Sequence, residues 1–308
     1  MGAIYGLLRM ARGGRLNTNQ RAEVLQNARI GLNTIARDAI NAGVGYPNFG
    51  ATIPDNALAT VLGGTADTDT DPDLLTPVFA RDGLHNINGV ATDQLTFVFI
   101  DDTFNNGESI AIADISTNGS QVEFATGYTN DPCSLGDVYI ISGQNGSALG
   151  TFGQAEDEEA TPSSPSANNV LDFPSGDPIG INLIGAESPI SKIQAPASLQ
   201  RVSWVNYYIA SEDANGTGTG TLMRRVYGGD NGWVDQPLAF GIENMQIQYV
   251  LLNGTVVDVP AADQMVDIRQ VRVSITIRSP DIDPNTNEPF RSTLTTTIST
   301  RNLVYEKF

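Results

Sequence analysis

The sequence holds one cysteine, one histidine and two lysines in 308 residues. Cys133 alone closes no intramolecular disulfide and builds no cysteine-based zinc cluster. It reads as a small buried filler in preference to a reactive thiol. His85 lies in Arg81-Asp-Gly-Leu-His-Asn-Ile-Asn-Gly89 with no nucleophile elbow beside it, so a Ser or Cys triad lacks support and a loop histidine is the default. Neither Lys192 nor Lys307 closes a Gly-rich phosphate loop, which removes support for nucleotide triphosphate chemistry. The apolar opening, Met1-Gly-Ala-Ile-Tyr-Gly-Leu-Leu-Arg-Met-Ala, is about half of the ~20 residues that a membrane span needs. It also lacks the charged lead and cleavage site of a signal peptide. Gly (31) and Pro (16) are too few and too aperiodic for a collagen-like or wholly disordered chain.

What the sequence does contain is material for a sheet-rich globular body: 40% hydrophobic residues, with many Val, Ile and Thr. Its formal charge of −18 is unevenly spread. Arg9, Arg12, Arg15, Arg21, Arg29 and Arg37 outweigh Glu23 and Asp38, so the first 38 residues are basic and the remainder strongly acidic. An acidic body repels nucleic acid, whose binding needs clustered Lys and Arg, and no nucleic-acid partner is expected. The basic segment is the part suited to anionic lipid or an acidic partner.

Val24, Leu25, Ala28, Leu32, Ile35 and Ala39 recur at spacings of three and four, predicting an amphipathic helix over residues 18–41 with that stripe as its packing face. Gly43, Gly45 and Pro47 supply the stop. Residues 3–12 extend the same rod, and a continuous helix over 3–42 would run about 60 Å. Past Pro47 the pattern changes to short strand-like runs between Asn-Gly, Gly-Asp and Asp-Pro turns. Leu95 to Ile100 is apolar on both faces, as in a central strand. Met245/Ile247/Tyr249, Val271/Val273/Ile275/Ile277 and Leu294/Thr296/Ile298 alternate with polar residues, predicting an antiparallel meander. Residues 151–178, rich in Pro, Ser and acids, read as an exposed loop or linker. The phrases Leu135-Gly-Asp-Val-Tyr-Ile-Ile and Ser175-Gly-Asp-Pro-Ile-Gly-Ile on either side fit a duplicated strand-turn unit or a coincidence equally well. The fold class expected is α+β: a long N-terminal helix, residues 1–43, packed on an elaborated antiparallel sheet, residues 44–308.

Two acidic ladders stand out: Asp67, Asp69, Asp71 and Asp73, and Asp281, Asp283, Asn285 and Asn287. Alternating Asp and Asn in a turn can supply the six to eight oxygens of a Ca2+ site, and the second ladder lies between two well-marked strands. Both depart from the EF-hand, with Pro72 or Thr286 in place of its glycine and Val78 or Ser292 in place of its final glutamate. An ordinary solvated turn is the plainer reading. The adjacent Asp101 and Asp102 point to opposite faces and make a poor glycosidase pair. Trp204, Trp233 and several Tyr read as core or sheet-face residues ahead of a sugar platform.

Three segments together resemble the PilW-like minor pilins of type IV pili and the related J-type minor pseudopilins of type II secretion. They are Ala22 to Gly43, with its Arg37-Asp38 pair; Tyr207-Tyr-Ile followed by Leu222-Met-Arg-Arg225; and Gly241 to Tyr249, Ile268 to Arg278 and Thr300-Arg-Asn302. The resemblance spans about a third of the chain. It implies a non-enzymatic structural subunit of a filament assembly or tip complex. Its partners would be other minor pilins or pseudopilins and the major pilin. Its place would be the inner membrane facing the periplasm before assembly and the bacterial surface filament afterwards. Such proteins are made with an N-terminal hydrophobic helix cleaved at a Gly. That site is not in this sequence, so Met1 is expected to lie within or just after the hydrophobic segment. Family members often carry disulfides, which Cys133 alone does not form. The alternative is a secreted, calcium-stabilised adhesin or carbohydrate-binding module, sharing the strands and acidic loops without needing the helix.

Overall fold

The computed structural model describes residues 2–66, 68–129, 132–153, 169–211, 218–283 and 286–300, with side chains described from residue 21 onward except at 262, 263, 281 and 283. Helix α1 (Gly2–Asn41) is followed by β1 (Ala51–Ile53), α2 (Ala57–Leu62), β2 (Asp73–Leu75), β3 (Val78–Ile87) and β4 (Val90–Ile100). The middle of the chain forms β5 (Ile110–Ile115), β6 (Gln121–Phe124), β7 (Val138–Gly143), β8 (Gly146–Thr151) and β9 (Val170–Asp172). The last third forms β10 (Ala197–Ser211), β11 (Gly220–Tyr227), β12 (Trp233–Leu251), β13 (Val256–Val257), β14 (Ile268–Asp283) and β15 (Glu288–Ser299).

This corrects the expected α+β class. Among the described residues strand far outweighs helix, in one large mixed sheet of 15 strands with two α-helices, so the protein is mostly β and not a pilin-like helix-on-sheet fold. The reason lies between α1 and the last third. The left-handed turn residues Asn88 (φ 51°) and Gly89 (φ 80°) let β3 pair back on β4, and the short apolar runs of β5 to β9 pair with their neighbours and join the same sheet.

The main path runs β15-β14-β12-β11-β10-β7-β8-β1-β2, antiparallel except at the β1–β8 contact. Strand β10 organises it, pairing with β11, β4, β5 and β7 along its 15 residues. Because successive side chains on a strand point to opposite faces, β10 serves three cores. Leu199 enters one with Tyr139, Phe124 and Leu171. Val202 and Trp204 enter a second with Val98, Ile140 and Tyr227. Val205, Tyr207 and Ile209 enter a third, beneath α1. Strand β4 is likewise covered on both faces, Leu95 and Phe97 toward the helix-side core and Val98 and Ile100 toward the second.

Of the residues 151–178, residues 154–168 lie outside the described residues, and Val170–Asp172 form β9. The Leu135 phrase leads into β7, whereas the Ser175 phrase forms no strand and buries Ile179 and Ile181 from a loop. The two are not a repeated unit.

Candidate functional site

The described part of α1 lies over β12, β14 and β15. Val24, Ala28, Leu32, Ile35 and Ala39 are buried there, and Leu25 is half-buried. They meet Val271, Val273, Ile275 and Ile277 of β14 and Met245 and Ile247 of β12, the apolar half of each alternating strand. Gly31 permits the close approach: a Cβ there would stand 2.6 Å from Leu222 Cδ2. The helix ends by docking on β4, where the Gly43 N–H donates to Val98 O at 2.9 Å and the Ile100 N–H donates to Val44 O at 2.9 Å.

One polar group crosses this apolar seam. Asp38 is 3% exposed, and its Oδ2 accepts from Tyr207 Oη at 2.5 Å and from Arg224 Nε at 2.7 Å. A polar group buried in this way is costly unless it is hydrogen-bonded, and these two donors satisfy it. Burial pushes the Tyr207 phenol far up, and the adjacent Asp38 charge adds to that. Burial opposes the Arg224 charge, but the hydrogen bond and charge of Asp38 together hold its pKa above the ordinary value. The Asp38–Tyr207–Arg224 contact therefore fixes the helix in rotation and register against β10 and β11. An apolar stripe alone does that less sharply.

Two further polar clusters tie the sheet together. Arg201 of β10 donates Nε to Asp101 Oδ2 at 2.9 Å and Nη1 to Asp137 Oδ2 at 3.2 Å. Burial raises Asp101, but hydrogen bonds from Thr103 and the Arg201 charge overcome it and hold the carboxyl below its ordinary range. Asp93 of β4 accepts the Gly83 N–H at 3.0 Å and the Ile247 N–H at 2.7 Å, bridging β3 and β12. Burial lifts its carboxyl to about 6.

The remaining sequence candidates are dispersed. The side chains of Asp281 and Asp283 and all of Asn285 lie outside the described residues, and Asn287 is exposed with φ 56°. Asp67 also lies outside them; Asp69 Oδ1 accepts the Asp71 N–H at 3.0 Å, and Asp73 Oδ2 accepts the Leu58 N–H at 2.8 Å. Among the described residues no three His, Cys, Asp or Glu side chains are grouped so as to hold a metal ion. His85 Nε2 lies 2.9 Å from Gln94 Oε1, with its ring 5.1 Å from that of Tyr208. Trp204 is fully buried, while Trp233 is exposed beneath the Arg225 guanidinium, so the two form no common platform. Burial pushes the Cys133 thiol up to about 12.

Sequence reasoning noted Asp38, Tyr207 and Arg224 in separate phrases but not their meeting. It passed over Arg201 and Asp93, although the charge in Thr92-Asp93-Gln94-Leu95, inside an otherwise strand-like run, was a signal.

The molecule is thus a mostly-β body carrying a helix on one part of its sheet. That part is where a comparison with known proteins falls: residues 206–302 match the family model described as Type IV Pilus-assembly protein W. The match relates the segment running from Asn206 of β10 through β15 to pilus assembly. No curated protein matches the chain, and no solved structure does. Among the described residues no helix is long and apolar enough to cross a membrane.

Proposed function

We propose that the chain is a structural, non-catalytic subunit of a type IV pilus or related secretion filament, of the minor pilin or minor pseudopilin kind. In this reading it joins other minor pilins and the major pilin through α1. The β-rich body is displayed at the bacterial envelope, anchored in the inner membrane before assembly and at the surface afterwards. The observation that carries the reading is a coincidence of two boundaries. The pilus-assembly match covers residues 206–302, and within that stretch lie Tyr207 and Arg224, which bind Asp38, and β12, β14 and β15, which cover most of the α1 stripe, with Leu95 and Phe97 of β4 completing the core from outside it. A family signature concentrated on the helix-holding surface supports a role in which holding that helix matters.

The test is genetic. Deleting the coding sequence is expected to reduce surface filaments, with recovery by the wild-type chain. An Asp38→Ala chain present in equal amount should not restore them. Full filament formation in the deletion strain, together with absence of the protein from sheared filament fractions, overturns the reading.

A further inference from the structure

Strand β12 exchanges one neighbour for another at Ile242. Trp233 to Ala239 pair with β11 on one side, and from Ile242 to Leu251 the strand pairs with β14 on the other. Beyond Ile277, β14 pairs with β15 alone, so among the described residues Trp233 to Phe240 meet no strand on the side away from β11. The parting is built into the backbone. Gly241 is left-handed at φ 73°, and a Cβ there would stand 2.8 Å from Arg278 O. Glu243 next to it bridges Arg278 of β14 at 3.3 Å and Arg291 of β15 at 2.8 Å.

One residue reveals which backbone groups are free. Pro237 has no N–H, yet it pairs with Met223 within the ladder, so this is a pair whose backbone groups point away from each other. By alternation, the pairs of Asp235 with Arg225 and of Trp233 with Tyr227 are of the same kind. The N–H and C=O of Trp233 and Asp235 and the C=O of Pro237 therefore face the free side. Among the described residues no other backbone group meets them, and Trp233 to Pro237 are all exposed. Such a row of regularly spaced donors and acceptors is the template on which an extended segment adds as a strand.

The side chains choose the occupant. Trp233 and Asp235 stand on one face of the strand, Asp235 held by Arg225 at 2.7 and 2.8 Å. A second copy fits poorly. Pairing this edge with itself about a two-fold axis, so that all three positions are used, sets Asp235 against Asp235. It also sets the Trp233 C=O against Pro237, which has no N–H to give, and each copy carries −18. We propose that Trp233 to Pro237 takes an extended segment of a different protein as an added antiparallel strand, with a Lys or Arg opposite Asp235 and apolar residues opposite Trp233 and Pro237. The inference rests on this edge and not on the pilus reading.

The experiment uses the full chain and the capped peptide Thr-Val-Thr-Lys-Thr-Val-Thr, followed by amide chemical shifts and hydrogen exchange. Before the peptide is added, the Trp233 and Asp235 amides should exchange fast, and those of Val234 and Gln236, turned toward β11, slowly. The peptide should bind saturably, shift the first half of β12 and slow the Trp233 and Asp235 amides. Methylating the backbone nitrogens of its lysine and both valines, which face β12 in this pairing, should abolish binding. Glutamate in place of its lysine should weaken binding about fivefold, as one cross-strand charge pair implies, and Asp235→Asn should remove that preference. Trp233→Ala should weaken binding by a similar factor while leaving the melting temperature nearly unchanged. The proposal is overturned if the peptide does not bind, if its methylated form binds as well, or if the glutamate form binds the wild type as tightly. It is overturned equally if the Trp233 and Asp235 amides are already slow in a self-associated chain.

Discussion

The sheet has two contrasting regions. Under α1, the long strands β12, β14 and β15 alternate apolar and polar residues over many positions, and a single helix covers the apolar half. Around β5, β6, β7, β8 and β9, strands are three to six residues long, and the core of Phe124, Tyr139, Leu171 and Phe173 is closed by turns and loops. The pilus-assembly match falls on the first region and not on the second. The first region draws its order from periodicity, and so from many weak, repeated choices. The second draws it from individual turn residues and close contacts. Substitutions should therefore propagate differently in the two.

The largest effect is expected at Asp38. Asp38→Ala leaves the Arg224 charge and the Tyr207 hydroxyl without their shared partner, and removing one member of a buried ion pair costs about 3–5 kcal/mol. A urea titration should register the loss, and hydrogen exchange should show it concentrated in residues 21–41, β10 and β11. Equal loss of protection in β5 and β6 would erase the contrast between the regions. Ile35→Ala comes next, at about 2–5 kcal/mol for the cavity it leaves beneath the helix, read by the same titration.

Asp93→Asn is expected to cost about 1–3 kcal/mol, because an amide offers one acceptor oxygen where the carboxylate receives two N–H groups. The pH dependence sharpens this. The folded carboxyl titrates at about 6 against an ordinary 3.8, so the folded state binds this proton more readily than the unfolded one. The stability from this group is fully present below 3.8 and is lost as pH rises through 6. That component should vanish from the stability–pH curve of Asp93→Asn.

Cys133 reports on the second region alone, since it packs against the Phe124–Tyr139 core. With its thiol pushed up to about 12, alkylation in the native state should be slow. Asp38→Ala should leave the rate nearly unchanged, and Phe124→Ala should raise it. The smallest effect belongs to Trp233→Ala on the exposed edge of β12, within about 0.5 kcal/mol, checked by thermal melting.

The sequence was most readable where side-chain periodicity carries the structure. The Val24-to-Ala39 stripe announces a helix face, and Val271 to Ile277 announces a half-buried strand. It was least readable where partners are far apart in the chain. Nothing local to Asp38 points to Arg224, because the residues lie 186 positions apart and only the tertiary fold brings them together. The class expectation failed for a related reason. A 40-residue helix dominates a linear reading, whereas three-residue strands such as β1, β2 and β9 carry too little pattern to be counted.

The position of α1's cover has a consequence for synthesis. The stripe from Val24 to Ala39 is made well before its covering strands β14 and β15, which end at Asp283 and Ser299. At the roughly 5–20 residues per second of translation, the apolar face waits on the order of 10–50 s for its lid. During that interval the emerging chain presents an amphipathic, Arg-bearing helix to whatever surface is nearest. A chaperone or a lipid headgroup layer is a suitable temporary occupant for a face whose cover is made so much later.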